Sequence, residues 1–347
     1  MTLPERISAF CELGRFFREY TDGHVPSDLK GYASELNQLI ESYRHKNAWF
    51  TEDHLLHALS HWGNLLICDH IQKFIEGYTF PQQGKTVALV MPGNIPMVGF
   101  HDLLCILITG HKAMVKTSSK DPDLPVFISR ILCHIEPGFE EYITFTSQPL
   151  KGFDAMIVTG NNETAKHFEE YCSKYPHIIR KNRTSVAVLT GDENKDELEA
   201  LSEDIFRYFG LGCRNVTKIF VPENYRFDEL YNALVKWQWM ATHNKWANNY
   251  DYHKSVYLMN RIDFSDGGFF ILKKDDGFFP PLSVIFYNHY SDICILAAEL
   301  KEMEHQLQCI VSKSDKLNNA VKPGTSQLPL LNDFADGVDT LQFLCNL

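Results

Sequence analysis

From Thr86 onward the sequence alternates short β-branched or apolar runs with amphipathic stretches of helix length, and this alternation limits the possible folds most. The runs are Thr86-Val87-Ala88-Leu89-Val90, Ala113-Met114-Val115-Lys116, Ala155-Met156-Ile157-Val158 and Ser185-Val186-Ala187-Val188-Leu189, separated by segments at 97–109, 121–135 and 162–174. Strands alternating with helices imply right-handed crossovers and a mainly parallel sheet. After Thr190-Gly191-Asp192-Glu193 a helix begins, and a second α/β set follows. It comprises a strand over 217–221, a helix near 226–241, strands near 255–259 and 282–287, a helix over 291–304 and a strand over 308–312. Before residue 80 the signals are helical: Pro4 near a start, then Ile7, Phe10, Leu13, Phe16 and Phe17 at spacings of three and four, and a second run through Leu36, Leu39 and Ile40. The expected fold is α/β, with two doubly wound domains after an N-terminal helical segment.

The boundary is expected near 190, giving a first domain over 1–190, a second over 191–320, and a closing segment over 321–347 that begins near Pro323-Gly324-Thr325. That segment either returns to the first domain or packs on a partner subunit, and a homo-oligomer is expected. With 347 residues, 44% of them hydrophobic, the chain can bury a core of about two domains. Lys and Arg number 33 against 44 Asp and Glu, a net charge of -11, which argues against nucleic acid or an anionic membrane as the main partner. An anionic ligand must then use a local basic patch. The nine cysteines, at 11, 68, 105, 133, 172, 213, 294, 309 and 345, lack CxxC pairing and lie mostly in apolar segments, the pattern of free thiols in a reducing compartment. No basic region precedes an apolar run at the N-terminus, and no stretch approaches the roughly 18 apolar residues of a membrane span. A soluble, cytoplasmic protein is expected.

Chemistry concentrates at turns. Cys213 stands in Phe209-Gly210-Leu211-Gly212-Cys213-Arg214-Asn215-Val216, between the helix and the strand that ends at Pro222. Glycine lets a backbone approach a ligand closely, and a turn amide can face a developing oxyanion. An isolated cysteine at a helix end is more often a small buried residue, so the rest of the chain must decide. The first βα turn, Val90-Met91-Pro92-Gly93-Asn94-Ile95-Pro96, lacks a GxGxxG, which disfavours a standard Rossmann dehydrogenase. Asn94 nevertheless lies just outside a strand's carboxyl end, where α/β sheets bind ligands, although a turn-former or helix cap is the ordinary reading. The second strand ends in Lys116-Thr117-Ser118-Ser119-Lys120, which suits ribose hydroxyls or phosphate as well as it suits a solvated lysine. A third turn, Val158-Thr159-Gly160-Asn161-Asn162, has the same form.

Together these pieces resemble the aldehyde dehydrogenase superfamily and, within it, the LuxC-type acyl-CoA reductases, over about 85–347. The resemblance implies an oxyanion-hole amide from Asn94, a ribose-binding Lys116, a nicotinamide-side turn at Thr159 and Gly160, and a nucleophilic Cys213. Asp276-Gly277-Phe278-Phe279-Pro280 is similar to the family's Glu-x-Phe-Gly-Pro segment, so Asp276 takes the acidic role toward the nicotinamide ribose, one methylene shorter. The closing Asn332-Asp333-Phe334-Ala335-Asp336-Gly337 is similar to LuxC-type tails. Aldehyde-oxidising members carry a water-activating glutamate, whereas the matching Ile178-Ile179-Arg180-Lys181-Asn182-Arg183-Thr184-Ser185 has no carboxylate. Without that base, water attack on an acyl-enzyme is unassisted, which favours reduction. Ser119 replaces the glutamate that would repel a 2′-phosphate, so NADPH is favoured, with NADH possible.

The implied reaction is attack of Cys213 on an acyl-CoA or acyl-carrier thioester, with the oxyanion held by Asn94 and the Cys213 amide, followed by hydride reduction to an aldehyde. Three readings stand beside it: an acyltransferase or thioesterase without hydride transfer, a non-enzymatic scaffold of the same fold, and an acyl phosphate as substrate. No metal is expected, because His54, His57, His61 and His70 sit among Leu55, Leu56, Leu59 and Trp62 without a recognised metal-site signature. Phe269-Phe270 and Phe278-Phe279 either line an acyl tunnel or belong to the core, and Arg180, Lys181 and Arg183 either contact a cofactor or CoA phosphate or face solvent.

Overall fold

The computed structural model describes residues 1–25, 27–160, 166, 168, 169 and 171–347. The chain divides into two compact units, Met1–Asn182 with Leu330–Leu347, and Arg183–Pro329.

In the first unit, helix α1 (Leu3–Thr21) starts at a capping box between Thr2 and Glu5, with Pro4 in the first turn. Its apolar stripe buries Phe10, Leu13, Phe16 and Phe17, and it packs on α3 (Glu52–Leu65) and α4 (Cys68–Ile75). Helix α2 (Lys30–Lys46) lies between them in sequence. Cys11 and Cys68 form a disulfide between α1 and α4, with Cα atoms 5.4 Å apart. The expectation of nine free thiols therefore fails for this pair. Its partners are 57 residues apart, and helix packing alone makes them neighbours.

Strands β1 (Thr86–Val90), β2 (Lys112–Lys116), β3 (Ile143–Phe145), β4 (Ala155–Thr159) and β5 (His177–Arg180) form a parallel sheet in the order β3-β2-β1-β4-β5. Helices α5 (Phe100–Ile108) and α6 (Leu124–Ile135) follow β1 and β2. β1 and β4 are buried through their centres, and their uniform apolar runs made them legible. β3 and β5 are short edge strands with exposed polar positions, so they carry no such run. The chain leaves β1 in one direction to β2 and β3, then returns on its other side to β4. The switch point thus falls between the carboxyl ends of β1 and β4. The expected helix over 162–174 lies partly outside the described residues, as do Asn161 and Asn162.

In the second unit, β6 (Thr184–Val188), β7 (Val216–Pro222), β8 (Ser265–Asp266), β9 (Ile271–Lys274), β10 (Val284–Tyr290) and β11 (Leu307–Val311) take the order β11-β6-β7-β10-β9-β8. All pairings are parallel except β8 with β9. The boundary thus precedes β6 rather than falling near 190. β6 continues the apolar alternation of the first sheet, and only its pairing with β7 and β11 assigns it to the second. Helix α7 (Lys195–Phe206) opens on a capping box between Asn194 and Glu197. The helix expected near 226–241 is α8 (Asp228–Leu234) followed by a 3₁₀ stretch over Val235–Thr242. The strand expected near 255–259 is instead the last part of α9 (Asn244–Met259). Val256-Tyr257-Leu258 reads locally as a strand, but Asn244 to Met259 contains neither Gly nor Pro, and the His243 ring caps the Trp246 amide. Trp246, Tyr250 and Tyr257 are its buried side chains. Helix α10 (Ile293–Glu302) covers part of this sheet, whereas α11 (Thr340–Cys345) belongs to the first unit. Among the described residues no helix is long and apolar enough to cross a membrane.

Candidate active site

The turns that follow β2, β1 and β4 lie side by side because their strands are neighbours in register: Val90 pairs with both Lys116 and Val158. The Met91 amide donates to the Lys116 carbonyl at 3.0 Å, carrying the ladder one step past β1. A Cβ built on Gly93 would stand 2.8 Å from Ser118 Cβ and 3.1 Å from the Asp121 nitrogen, so only glycine lets these two turns touch. Asn94 follows, half-buried, and Met97 at φ 58° swings the chain into α5. Lys116 is half-buried, and Ser119 and Lys120 are exposed. The Lys120 amide donates to Ser118 Oγ at 3.2 Å and the Asp121 amide to the Ser118 carbonyl at 3.1 Å, which closes the loop. Asn94, Lys116, Ser119, Thr159 and Gly160 therefore gather along one edge of the first sheet.

That loop is braced from the N-terminal helices, an arrangement the sequence did not announce. Tyr43 of α2 donates its hydroxyl proton to the buried Asp121 carboxylate and accepts from the Leu124 amide at 3.1 Å. Asn47 Nδ2 donates to the Lys120 carbonyl at 3.0 Å, and Lys46 pairs with Asp123 at 2.6 Å. Burial pushes the Asp121 carboxyl up to about 6, and burial beside Asp121 raises the Tyr43 phenol.

Thr159 accepts from Arg180 Nη1 at 3.4 Å. Arg180 is almost wholly buried, ion-pairs with Asp102 of α5 and donates to Thr340 Oγ1 at 2.8 Å. It is therefore committed to the interior of the first unit and unavailable to a phosphate. Lys181 pairs with Glu169 at 2.8 Å, and Arg183 donates to the Glu304 and Leu307 carbonyls at 3.1 Å. Of this basic run Arg180 is buried, whereas Lys181 stays exposed in a surface pair.

In the second unit Cys213 is exposed, at the corner of a tight turn closed by the Asn215 amide on the Gly212 carbonyl at 3.1 Å. The chain reaches it through three successive left-handed residues, Tyr208 (φ 57°), Phe209 (φ 55°) and Gly210 (φ 67°). Two aromatic residues in that region are strained, and surrounding contacts must hold them there. Phe209 is completely buried, its ring packed at a tilt against His243 with centroids 4.4 Å apart. The buried Asn215 side chain provides the brace: Oδ1 accepts from Gly212 N at 2.8 Å, and Nδ2 donates to the carbonyls of Asp204, Ile205 and Arg207 at 2.8–3.3 Å. Ser185 Oγ donates to the Cys213 carbonyl at 3.0 Å and accepts from the Cys309 amide at 3.2 Å. Asp204, fully buried in α7, accepts from the amides of Gly324 and Ser326 at 2.6 and 2.9 Å, and burial pushes its carboxyl up to about 6.

Asp276 is exposed in the turn between β9 and β10, its Oδ1 accepting from Asn288 Nδ2 at 2.8 Å. The turn is tied to the start of β7. Thr217 Oγ1 donates to the Phe278 carbonyl at 2.8 Å and contacts Thr184 Oγ1 at 2.6 Å, while Lys218 Nζ donates to the Asp275 carbonyl at 2.9 Å. Because Thr184 and Ser185 are consecutive, a continuous polar path joins the Cys213 and Asp276 turns within this unit. Asn215, Ser185, Thr217 and Lys218 were missed in the sequence. Only Asn215, two residues after the cysteine, lay close enough to be noticed.

The aromatic pairs divide. Phe269 and Phe270 are buried in a cluster with Phe206, the core alternative, whereas Phe279 is exposed. Among the described residues no group of three or more His, Cys, Asp or Glu is arranged to hold a metal. His54 is buried beside the Trp49 carbonyl, and a His70 ring nitrogen bonds the Asn64 carbonyl at 3.1 Å.

The family model for acyl-CoA reductase (LuxC) matches residues 25–242, more than half of the chain. No curated protein matches the sequence. Among solved structures, aldehyde dehydrogenase 21 from Physcomitrella patens, in complex with the reaction product succinate, aligns with a TM-score of 0.65 at 13% identity, covering 100% of this chain and 84% of that one. An NAD-dependent aldehyde dehydrogenase from Sinorhizobium meliloti gives 0.61 at 10% identity over 92% and 76% of the two chains. The Mycobacterium tuberculosis aldehyde dehydrogenase complexed with NAD+ gives 0.57 at 12% identity over 83% and 70%. The likenesses give the fold and the family match gives the chemistry: the chain belongs to the LuxC acyl-CoA reductases, aldehyde-forming oxidoreductases on an aldehyde dehydrogenase fold.

Proposed function

We propose that this enzyme reduces a long-chain acyl thioester, carried on coenzyme A or an acyl carrier protein, to an aldehyde, with NADPH as the reductant and Cys213 as the nucleophile. The observation that supports it most is the exposed Cys213 thiol on a turn held through the Cys213 carbonyl and the Gly212 and Asn215 amides. A thiolate is the strongest nucleophile among common side chains, and a fixed turn limits the reorganisation needed for attack. The Cys213 sulfur attacks the acyl carbon, the carbon–sulfur bond to the carrier breaks, and the carrier leaves as its thiol. Asn94 takes the oxyanion-donor role that the resemblance gives it.

The first unit fits a dinucleotide. A cradle at Gly93 that a Cβ would fill, a strand-ending Lys116 and the Thr159–Gly160 turn flank the switch point of a parallel sheet. When bound, the nicotinamide supplies a hydride to the S-acyl carbon. Collapse of the resulting thiohemiacetal releases the aldehyde and returns the Cys213 thiolate. Ser119 and Lys120, both exposed, suit a 2′-phosphate better than the carboxylate of NAD-preferring relatives would. Asp276 takes the nicotinamide ribose. We also place the enzyme in the cytoplasm and expect it to self-associate.

The test is NADPH oxidation with acyl-CoAs of graded length, alongside intact-mass detection of acylated enzyme in the absence of cofactor. Acyl adducts on the wild type that vanish in Cys213→Ala support the reading, and full turnover by that variant overturns it. Adducts without any NADPH or NADH oxidation would favour the transferase alternative.

A further inference from the structure

Lys218 is 1% exposed in the middle of a sheet, where an ammonium is costly. Its nitrogen lies between the rings of Phe220 and Phe278, 5.0 and 4.8 Å from their centroids, and donates to the Asp275 carbonyl. Burial pushes its pKa down, while Asp276 and Asp275 pull it back up. The backbone explains how it reaches the turn. The pairing of β6 with β7 shifts by one residue between Ser185–Val216 and Val186–Lys218, a bulge that leaves Thr217 as the extra residue. Such bulges re-aim side chains near functional sites. Here consecutive residues, Thr217 and Lys218, grip opposite ends of one turn at Phe278 and Asp275, with Asp276 between them. Lys273 ion-pairs with Asp275, and the Gly277 amide donates to Asp275 Oδ1 at 2.8 Å, so the Asp275 carboxylate is already occupied. Lys218 acts on the backbone instead.

We propose that Lys218 is a positioning residue that fixes the Asp275–Phe278 turn so that the Asp276 carboxylate is presented to the nicotinamide ribose. This rests on the ribose role of Asp276 proposed above. The test measures the NADPH dissociation constant by fluorescence titration in Lys218→Met, Asp276→Asn and the double variant. Cofactor-independent thiol release from acyl-CoA reports on Cys213 in parallel. Lys218→Met keeps side-chain volume between the two rings, and replacing a buried charge by an apolar group is often tolerated. Lys218→Gln, which retains a donor, serves if the Met variant does not fold.

Lys218→Met is expected to weaken NADPH binding about tenfold, the scale of one lost charge-assisted hydrogen bond. Lys218→Gln should lose less, the double variant should bind no worse than the weaker single variant, and thiol release should stay intact. An unchanged constant in Lys218→Met, or additive losses in the double variant, overturns the proposal while Asp276→Asn still weakens binding. If Asp276→Asn itself leaves the constant unchanged, the ribose role is what fails, and the proposal falls with it.

Discussion

In the first unit the turns bearing Asn94, Lys116 and Thr159 are direct continuations of adjacent strands. In the second, the turn bearing Cys213 hangs on left-handed backbone held by one buried asparagine. The buried acids differ in the same way. Asp121 is satisfied by a tyrosine hydroxyl from α2, and Asp204 by two backbone amides of a distant loop. The first set of turns is thus placed by strand order and tied down from α2, whereas the exposed Cys213 on strained backbone depends on bonds from a single side chain.

The widest separation between the units should come from Cys213→Ala. Acyl reduction should disappear while the dissociation constant for NADPH, read by fluorescence titration, stays at the wild-type value. Loss of cofactor binding in that variant would mean the two sets of residues do not act separately.

Next is Asn215→Ala: Oδ1 accepts one bond and the two Nδ2 protons are shared among three carbonyls, so the loss should be about 3 kcal/mol at the usual 1 per bond. Denaturant unfolding measures it. A loss below about 1 kcal/mol would show that the left-handed stretch does not need its brace.

The buried acids give a pH dependence of about 3 kcal/mol each. Both carboxyls are raised to about 6, so between about 4 and 6 the folded chain keeps protons that the unfolded chain has released. Each contribution favours folding below that window and is lost as pH rises through it. Unfolding midpoints from pH 4 to 7 should therefore drop less steeply in Asp121→Asn and in Asp204→Asn than in the wild type. Parallel slopes in all three proteins would show that neither acid titrates as stated.

Gly93→Ala should cost about 2 kcal/mol through the clash with Ser118 and raise the KM for NADPH, since it separates two turns that touch. The smallest effect belongs to Gly210→Ala, about 1 kcal/mol: at φ 67° a side chain is strained, but among the described residues its Cβ would meet only the Ile205 carbonyl, at 3.5 Å. If Gly210→Ala proved costlier than Gly93→Ala by thermal melting, the contrast between packed turns and strained backbone would be reversed.

The elements legible in advance were those with an uninterrupted signal. β1, β2, β4 and β6 stood out as apolar runs, and α1 as a stripe at helical spacing behind Pro4. Edge strands β3, β5 and β8 carry too few apolar residues to show. Val256-Tyr257-Leu258 misled because strand-forming residue types sat inside a longer uninterrupted helix. Arg180 showed as a basic residue with no hint that Asp102, 78 positions earlier, would neutralise it.

Most of the order of secondary structure, the strand-end positions of Lys116 and Thr159 and the turn positions of Asn94 and Cys213 were determined by the sequence itself, because periodicity and turn residues are local properties. The assignment of β6 to the second sheet, the Cys11–Cys68 bridge, the burial of Lys218 and the bracing of Cys213 were decided by tertiary structure. Each depends on which residues distant in sequence share a low-dielectric interior. There a charge or an amide must find its partner across the fold, and the chain order does not encode that distance.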